Sequence, residues 1–114
     1  MIQMRYVIMF VSDIPAAVAF YRDALGLPLR FQSPGWTEFD TGTSTLALHP
    51  ASAEHLHGTM QLGFAVDDLY AFAASMKAQG FKFTRDPTPE HGSLLARFQD
   101  AAGVEYAVSG PLPR

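Results

Sequence analysis

Apolar and polar positions follow the same order twice along the chain. Each copy opens with a β-branched and aromatic run typical of a buried strand, the first at residues 3–11. An acidic cap follows, and then an apolar stripe at helical spacing that a glycine ends. Asp13 opens the first predicted helix, Asp67 or Asp68 opens the second, and Gly26 and Gly80 close them. The pattern therefore predicts two consecutive copies of one β-α-β-β-β unit.

Three further strands are expected after the helix of each copy. They are predicted at 27–31, 36–40, 45–49, 81–85, 93–99 and 104–109. The segment 86–92 (DPTPEHG) is predicted to be a proline-rich loop. We expect a single domain over residues 1–114, with modules at about 1–50 and 59–110 and a linker at 51–58.

Composition and charge narrow the classes of function. Hydrophobic residues make up 48% of the 114 residues, enough for a core, and the absence of cysteine excludes disulfides and thiolate chemistry. The formal charge of −3 argues against a nucleic-acid partner, which requires a basic stripe. No apolar run approaches the roughly 18 residues of a membrane-spanning helix, and no signal-peptide pattern opens the chain. We therefore predict a cytoplasmic protein with no membrane partner.

Four stretches carry a resemblance to a known family. They read VSDIPAAVAFYRDALGL (11–27), TLALHP (45–50), LGFAVDDL (62–69) and FQDAAGVEYAV (98–108). In this order they resemble the vicinal-oxygen-chelate superfamily, which includes glyoxalase I, extradiol dioxygenases and bleomycin-resistance proteins. The resemblance covers nearly the whole chain. It implies an α+β fold in which two βαβββ modules form an open eight-stranded barrel-like sheet around a cleft. A homodimer is also expected, since pairing would cover apolar sheet edges.

The resemblance also implies four metal-ligand positions in the cleft. In this chain they fall on Tyr6, Ala47, Gln61 and Ala107. Tyrosine is an uncommon ligand, a glutamine amide is a weak neutral one, and alanine has no donor atom. We therefore expect no metal and no other cofactor.

A shifted metal site is the alternative. His49 lies two residues after Ala47, and Glu105 lies two residues before Ala107. Because side chains alternate along a strand, both face the same side as the positions they would replace. A divalent metal held by His49, Gln61 and Glu105 would require a displacement of about 6–7 Å along each strand. This alternative stays open.

Strand alternation also predicts which side chains line the cleft. The ligand-binding candidates are Tyr6, Trp36, His49, Gln61, Arg97 and Glu105. Arg97 has this orientation if Leu94, Ala96 and Phe98 face the helix.

Each candidate also has a purely structural interpretation. The aromatic candidates could be core residues, Arg97 and Glu105 an ordinary cross-strand ion pair, and His49 a packing histidine. The linker cluster of Glu54, His55 and His57 is expected to be solvated.

Three functions are compatible with these features. The leading hypothesis is a metal-independent protein that binds an aromatic or amphipathic small molecule. The alternative is a glyoxalase-like lyase or isomerase, or a dioxygenase-type enzyme. Such an enzyme would use the shifted metal, or metal-free acid/base chemistry by Glu105 or Glu38 with His49. The third is an interaction module whose cleft is filled by its own side chains.

Overall fold

The computed structural model describes residues 1–114. Its strands are β1 (Gln3–Val11), β2 (Leu29–Gln32), β3 (Thr37–Asp40), β4 (Thr45–Pro50), β5 (Met60–Ala65), β6 (Phe83–Glu90), β7 (Ser93–Gln99) and β8 (Glu105–Pro111). The helices are α1 (Ile14–Ala19), which continues as a π-helical turn over Phe20–Ala24, and α2 (Leu69–Ala78). The predicted α+β class and the doubled βαβββ order are confirmed. Neither helix has the length and apolar character needed to cross a membrane.

The chain divides into two compact units. The N-terminal unit comprises Arg5–Gln61, and the C-terminal unit comprises Leu62–Arg114 together with Met1–Met4. In the N-terminal unit the strand order is β2-β3-β4-β1, with β1 and β4 parallel and the other pairs antiparallel. In the C-terminal unit the order is β5-β8-β7-β6, with β5 and β8 parallel and the other pairs antiparallel. Each unit is thus a mixed four-stranded sheet.

The two helices begin in the same way. Asp13 Oδ1 accepts the backbone N–H of Ala16 at 3.0 Å, and Asp68 Oδ1 accepts that of Ala71 at 3.0 Å. Each cap satisfies a donor that the first helical turn leaves without a partner, a contribution of about 1 kcal/mol. The predicted caps are therefore confirmed, and Asp68 rather than its neighbour Asp67 caps α2.

One face of the N-terminal sheet packs on α1. Val11, Phe39 and Leu48 are buried against Val18 of the helix. Because side chains alternate along a strand, β1 sends Tyr6, Ile8 and Phe10 to the opposite face, as the sequence predicts. In β3, Glu38 stands opposite Ala47 of β4 and therefore shares that opposite face.

The C-terminal unit repeats this arrangement. Leu69 of α2 is buried against a sheet face formed by Leu94, Ala96, Phe98 and Val108. The helix approaches β8 closely at Gly110, where a Cβ atom would lie 3.1 Å from both the Leu69 Cβ and the Val66 carbonyl oxygen. The helix-facing set confirms the orientation predicted for Arg97, which lies on the opposite face.

The expected loop at 86–92 is wrong. Strand β6 continues from Phe83 to Glu90, and only His91 and Gly92 turn, with φ angles of 51° and 81°. Within its unit β6 pairs with β7 alone, so it is an edge strand and one side of its backbone needs no hydrogen-bond donor. Pro87 and Pro89 are tolerated for that reason.

The turn between β7 and β8 is organised by one carboxylate. Asp100 Oδ1 accepts the backbone N–H groups of Ala102 and Val104, each at 2.9 Å, and the Tyr106 hydroxyl donates to Oδ2 at 3.0 Å. These bonds, the one from Val104 foremost, lower the pKa of Asp100. Asp100 therefore organises the turn that joins the two strands.

Replacement of Thr37 by valine is expected to stabilise the N-terminal unit. The Thr37 side chain is buried and its hydroxyl oxygen has no hydrogen-bond partner. Valine has the same shape and removes the desolvated hydroxyl, so the free energy of unfolding should rise by about 1 kcal/mol. Urea denaturation measures the change. Thr37→Ser is the control, since it keeps the hydroxyl and loses the methyl group, and it should destabilise. A less stable Thr37→Val protein would contradict this interpretation.

Candidate functional site

A row of rings lies on the face of the N-terminal sheet opposite α1. Tyr6 and Trp36 meet edge-on with centroids 6.3 Å apart, and Trp36 meets His49 edge-on at 6.3 Å. His49 meets Phe10 at 5.5 Å, and Phe10 stacks on His55 at 4.4 Å with planes 10° apart. Edge-on and offset contacts of this kind are the favoured arrangements of aromatic side chains. We call these five residues the aromatic row.

A polar network borders the aromatic row. Glu38 Oε2 accepts the indole N–H of Trp36 at 2.7 Å, and Oε1 accepts from the Arg30 guanidinium at 3.2 Å. Arg30 also donates to the hydroxyl of Thr45. The Glu38 carboxylate therefore orients the indole and offsets the charge of Arg30. The side chains of Arg30 and Glu38 are 47% and 30% exposed, so solutes can reach the network.

Several predicted residues are thus in contact in this unit. Tyr6, Trp36, Glu38 and His49 lie together in the aromatic row and its polar border. Gln61, also in the N-terminal unit, is buried with 5% exposure. Arg30 was not among the predicted residues. Its position next to the helix-facing Leu29 in β2 was a usable signal, because alternation turns Arg30 to the opposite face.

The linker histidines take part in this unit as well. His55 belongs to the aromatic row, and Nδ1 of His57 accepts the backbone N–H of Ser12 at 3.0 Å. Backbone hydrogen bonds from Ala51 to Val11 and from Gly58 to Phe10 hold both ends of the segment. The expectation of a solvated linker is therefore wrong for His55, since the segment folds back on the end of β1.

The other two predicted binding residues lie in the C-terminal unit. Arg97 stands directly opposite Ala107, whereas Glu105 stands opposite Gln99. Glu105 Oε2 accepts the hydroxyl of Thr84 at 2.6 Å. The register therefore places Arg97 and Glu105 on the same face but not directly opposite each other, as the simplest cross-strand pair would require.

The donor set does not fit the metal centre that the family resemblance implies. Two of the four implied positions, Ala47 and Ala107, carry no donor atom. No group of three or more His, Asp or Glu side chains in residues 1–114 is placed to hold a metal ion. In the shifted set, His49 directs Nδ1 at the carbonyl oxygen of Pro50, 2.9 Å away. The shifted set of His49, Gln61 and Glu105 stays a prediction.

The fold defines the class of protein. Over nearly its whole length the chain is similar to solved βαβββ proteins. Methylmalonyl-CoA epimerase from Mycobacterium tuberculosis matches with a TM-score of 0.76 and 21% identity, over 96% of this chain and 88% of that one. A hypothetical protein from Bacillus halodurans matches with a TM-score of 0.78 and 19% identity, over 99% and 96%. An NAD-dependent benzaldehyde dehydrogenase from Legionella pneumophila matches with 0.72 and 17%, over 94% and 98%. These identities establish a shared fold.

The family follows from a separate comparison. The model of the Glyoxalase/Bleomycin resistance protein/Dioxygenase superfamily matches residues 3–108. The chain belongs to this superfamily, which confirms the resemblance seen in the sequence. No curated protein matches the chain significantly.

Removal of the Glu38 carboxylate is expected to change the environment of Trp36. Trp36 is the only tryptophan, so its fluorescence reports on this contact alone. Glu38→Ala removes the acceptor of the indole N–H and the counter-charge of Arg30. The emission maximum should shift, and the free energy of unfolding should fall by about 1 kcal/mol. Glu54→Ala, which removes an exposed linker carboxylate, is the matched control. Unchanged emission in Glu38→Ala would show that the indole contact is absent in solution.

Proposed function

We propose that this protein binds an aromatic or amphipathic small molecule without a metal ion, on the aromatic row of its N-terminal unit. The observation that carries the proposal is that Trp36 contacts the rings of Tyr6 and His49. Its indole N–H also donates to Glu38, which pairs with Arg30. Small-molecule sites combine apolar and aromatic walls with a few polar groups that fix orientation. This face offers both.

Partial exposure supports binding over mere core packing. Trp36, Glu38 and His49 are only partly buried, so part of each side chain stays accessible to solvent and to a ligand. Within the row, Tyr6 and Phe10 are buried, so Trp36, His49 and His55 are the rings that a ligand can reach. An aromatic ligand would gain dispersion and edge-on contacts with the row, and a polar group on it could bond to the Glu38 border.

The donor chemistry supports metal-independent binding. Ala47 occupies an implied ligand position at the centre of β4, opposite Ile8 and Glu38. The alanine methyl group there is buried and offers no ligand atom. The same holds for Ala107 in the C-terminal unit.

A ligand screen by thermal shift tests the proposal. We expect aromatic, amphipathic compounds to raise Tm in the absence of added metal, by the equivalent of about 2.7 kcal/mol when the ligand is at a hundredfold excess over Kd. The shift should be unchanged by a chelator. His49→Ala and Trp36→Phe should reduce it, because each removes ligand-contacting ring surface.

Tyr70→Ala is the matched control, since Tyr70 is a half-exposed aromatic residue on α2 that belongs to the other unit. Equal loss of the shift in Tyr70→Ala and Trp36→Phe would contradict binding at the aromatic row. A complete absence of stabilising compounds would contradict the function itself.

A second candidate function is metal-free acid/base catalysis. The supporting observation is the partly buried Glu38 carboxylate, which is held in place by the Arg30 guanidinium and by the indole N–H of Trp36, whose ring meets His49. An epimerase must remove a proton from a carbon centre, and a positioned carboxylate can act as that base. The similarity to methylmalonyl-CoA epimerase makes its named substrate a suitable probe.

Deuterium incorporation separates the two functions. With methylmalonyl-CoA in D₂O, the binding proposal predicts no exchange of the carbon-bound proton above the rate in buffer, as measured by NMR. Exchange that Glu38→Gln or Glu105→Gln abolishes, with folding intact, would replace the binding proposal with an enzymatic one.

A further inference from the structure

Positive charge is concentrated on one face of the C-terminal sheet. Arg85 of β6 and Arg97 of β7 stand directly opposite each other in the antiparallel ladder. They therefore share the face opposite α2. Like charges in this position destabilise a sheet unless an anion lies between or beside them.

Glu90 is the carboxylate that pairs with Arg85, whereas Glu105, on the same face as Arg97, accepts the hydroxyl of Thr84. Glu90 Oε2 forms an ion pair with Arg85 at 2.5 Å, and the His91 Nε2 atom lies 3.6 Å from Glu90 Oε1. The pKa of Glu90 is lowered, most by the hydrogen bond from Arg85 and further by the charges of His91 and Arg97. Arg85, Arg97 and Glu90 together carry a net positive charge.

The backbone of β6 holds this arrangement in place. The register of β6 against β7 shifts on both sides of Arg85, between Phe83 and Arg85 and again between Arg85 and Thr88. Such irregularities redirect a side chain relative to its neighbours on the strand. In β7, Leu94, Ala96 and Phe98 are anchored in the core, which keeps Arg97 on the opposite face.

We propose that Arg85 and Arg97 bind an oxyanion, the carboxylate or phosphate group of a small molecule, with Glu90 as the internal counter-ion that competes with it. A guanidinium presents paired donors that match such a group in bidentate fashion, and two of them can hold it from two sides. The inference goes beyond the proposed function, because it concerns a second site, in the C-terminal unit. It concerns different residues, so the two can fail separately.

Simple anions test the site directly. Inorganic phosphate and benzoate are titrated separately at constant ionic strength, and binding is followed by the NMR signals of the arginine Nε–H groups. We expect at least one anion to shift the Arg85 and Arg97 signals in a saturable manner. Saturation by phosphate alone would assign a phosphate group, and saturation by benzoate alone a carboxylate.

Three variants are expected to affect anion binding in different ways. Arg97→Gln should weaken anion binding by about tenfold, the loss expected for a charge-assisted hydrogen bond. Glu90→Gln should strengthen binding, because it removes the competing carboxylate and keeps the size of the side chain. Lys82→Gln, which removes an exposed positive charge from the same unit, should change the affinity little.

Two results would overturn the inference, and a third would separate it from the proposed function. No saturable shift with either anion would overturn the inference, as would equal weakening by Arg97→Gln and Lys82→Gln, which indicates general charge screening. If neutral aromatic compounds stabilise the protein while anions leave Arg85 and Arg97 unchanged, the proposed function stands and the oxyanion site is wrong.

Discussion

Packing of each four-stranded sheet against its own helix is the constraint on which the rest of the structure depends. A two-layer unit of this size can bury only one face of its sheet on its helix, and here that face is apolar. The strand period of two then sends every second side chain to the other face. Phe39 and Leu48 fix the N-terminal sheet in this way, and Leu94 and Phe98 fix the C-terminal one.

The same constraint explains why chemistry-bearing side chains collect where they do. In the N-terminal unit it brings Trp36 and Glu38, at the start of β3, to the same face as His49 of β4. In the C-terminal unit it sets Arg85 beside Arg97. The opposite face holds buried residues such as Ile8 and Phe10 beside partly exposed ones such as Trp36 and Glu38. Both proposals concern those faces.

Local physics made much of this predictable from the sequence. The caps at Asp13 and Asp68 and the first strand follow from short-range patterns that tertiary contacts reinforce. The segment after Arg85 was mispredicted because its prolines favour a loop, and only the pairing of an edge strand overrides that preference. The pairing of Arg85 with Arg97 depends on a register that two irregularities set, and no sequence spacing reveals it.

The most direct test of the central claim is a titration that follows the single indole N–H signal of Trp36 by ¹H–¹⁵N NMR. The compound that gives the largest thermal stabilisation is added to chelator-treated protein. The account predicts a saturable shift of this signal, at the same Kd as the stabilisation, because the ligand contacts the ring that Glu38 orients. A compound that stabilises the protein while the indole signal stays fixed would show that the ligand binds elsewhere.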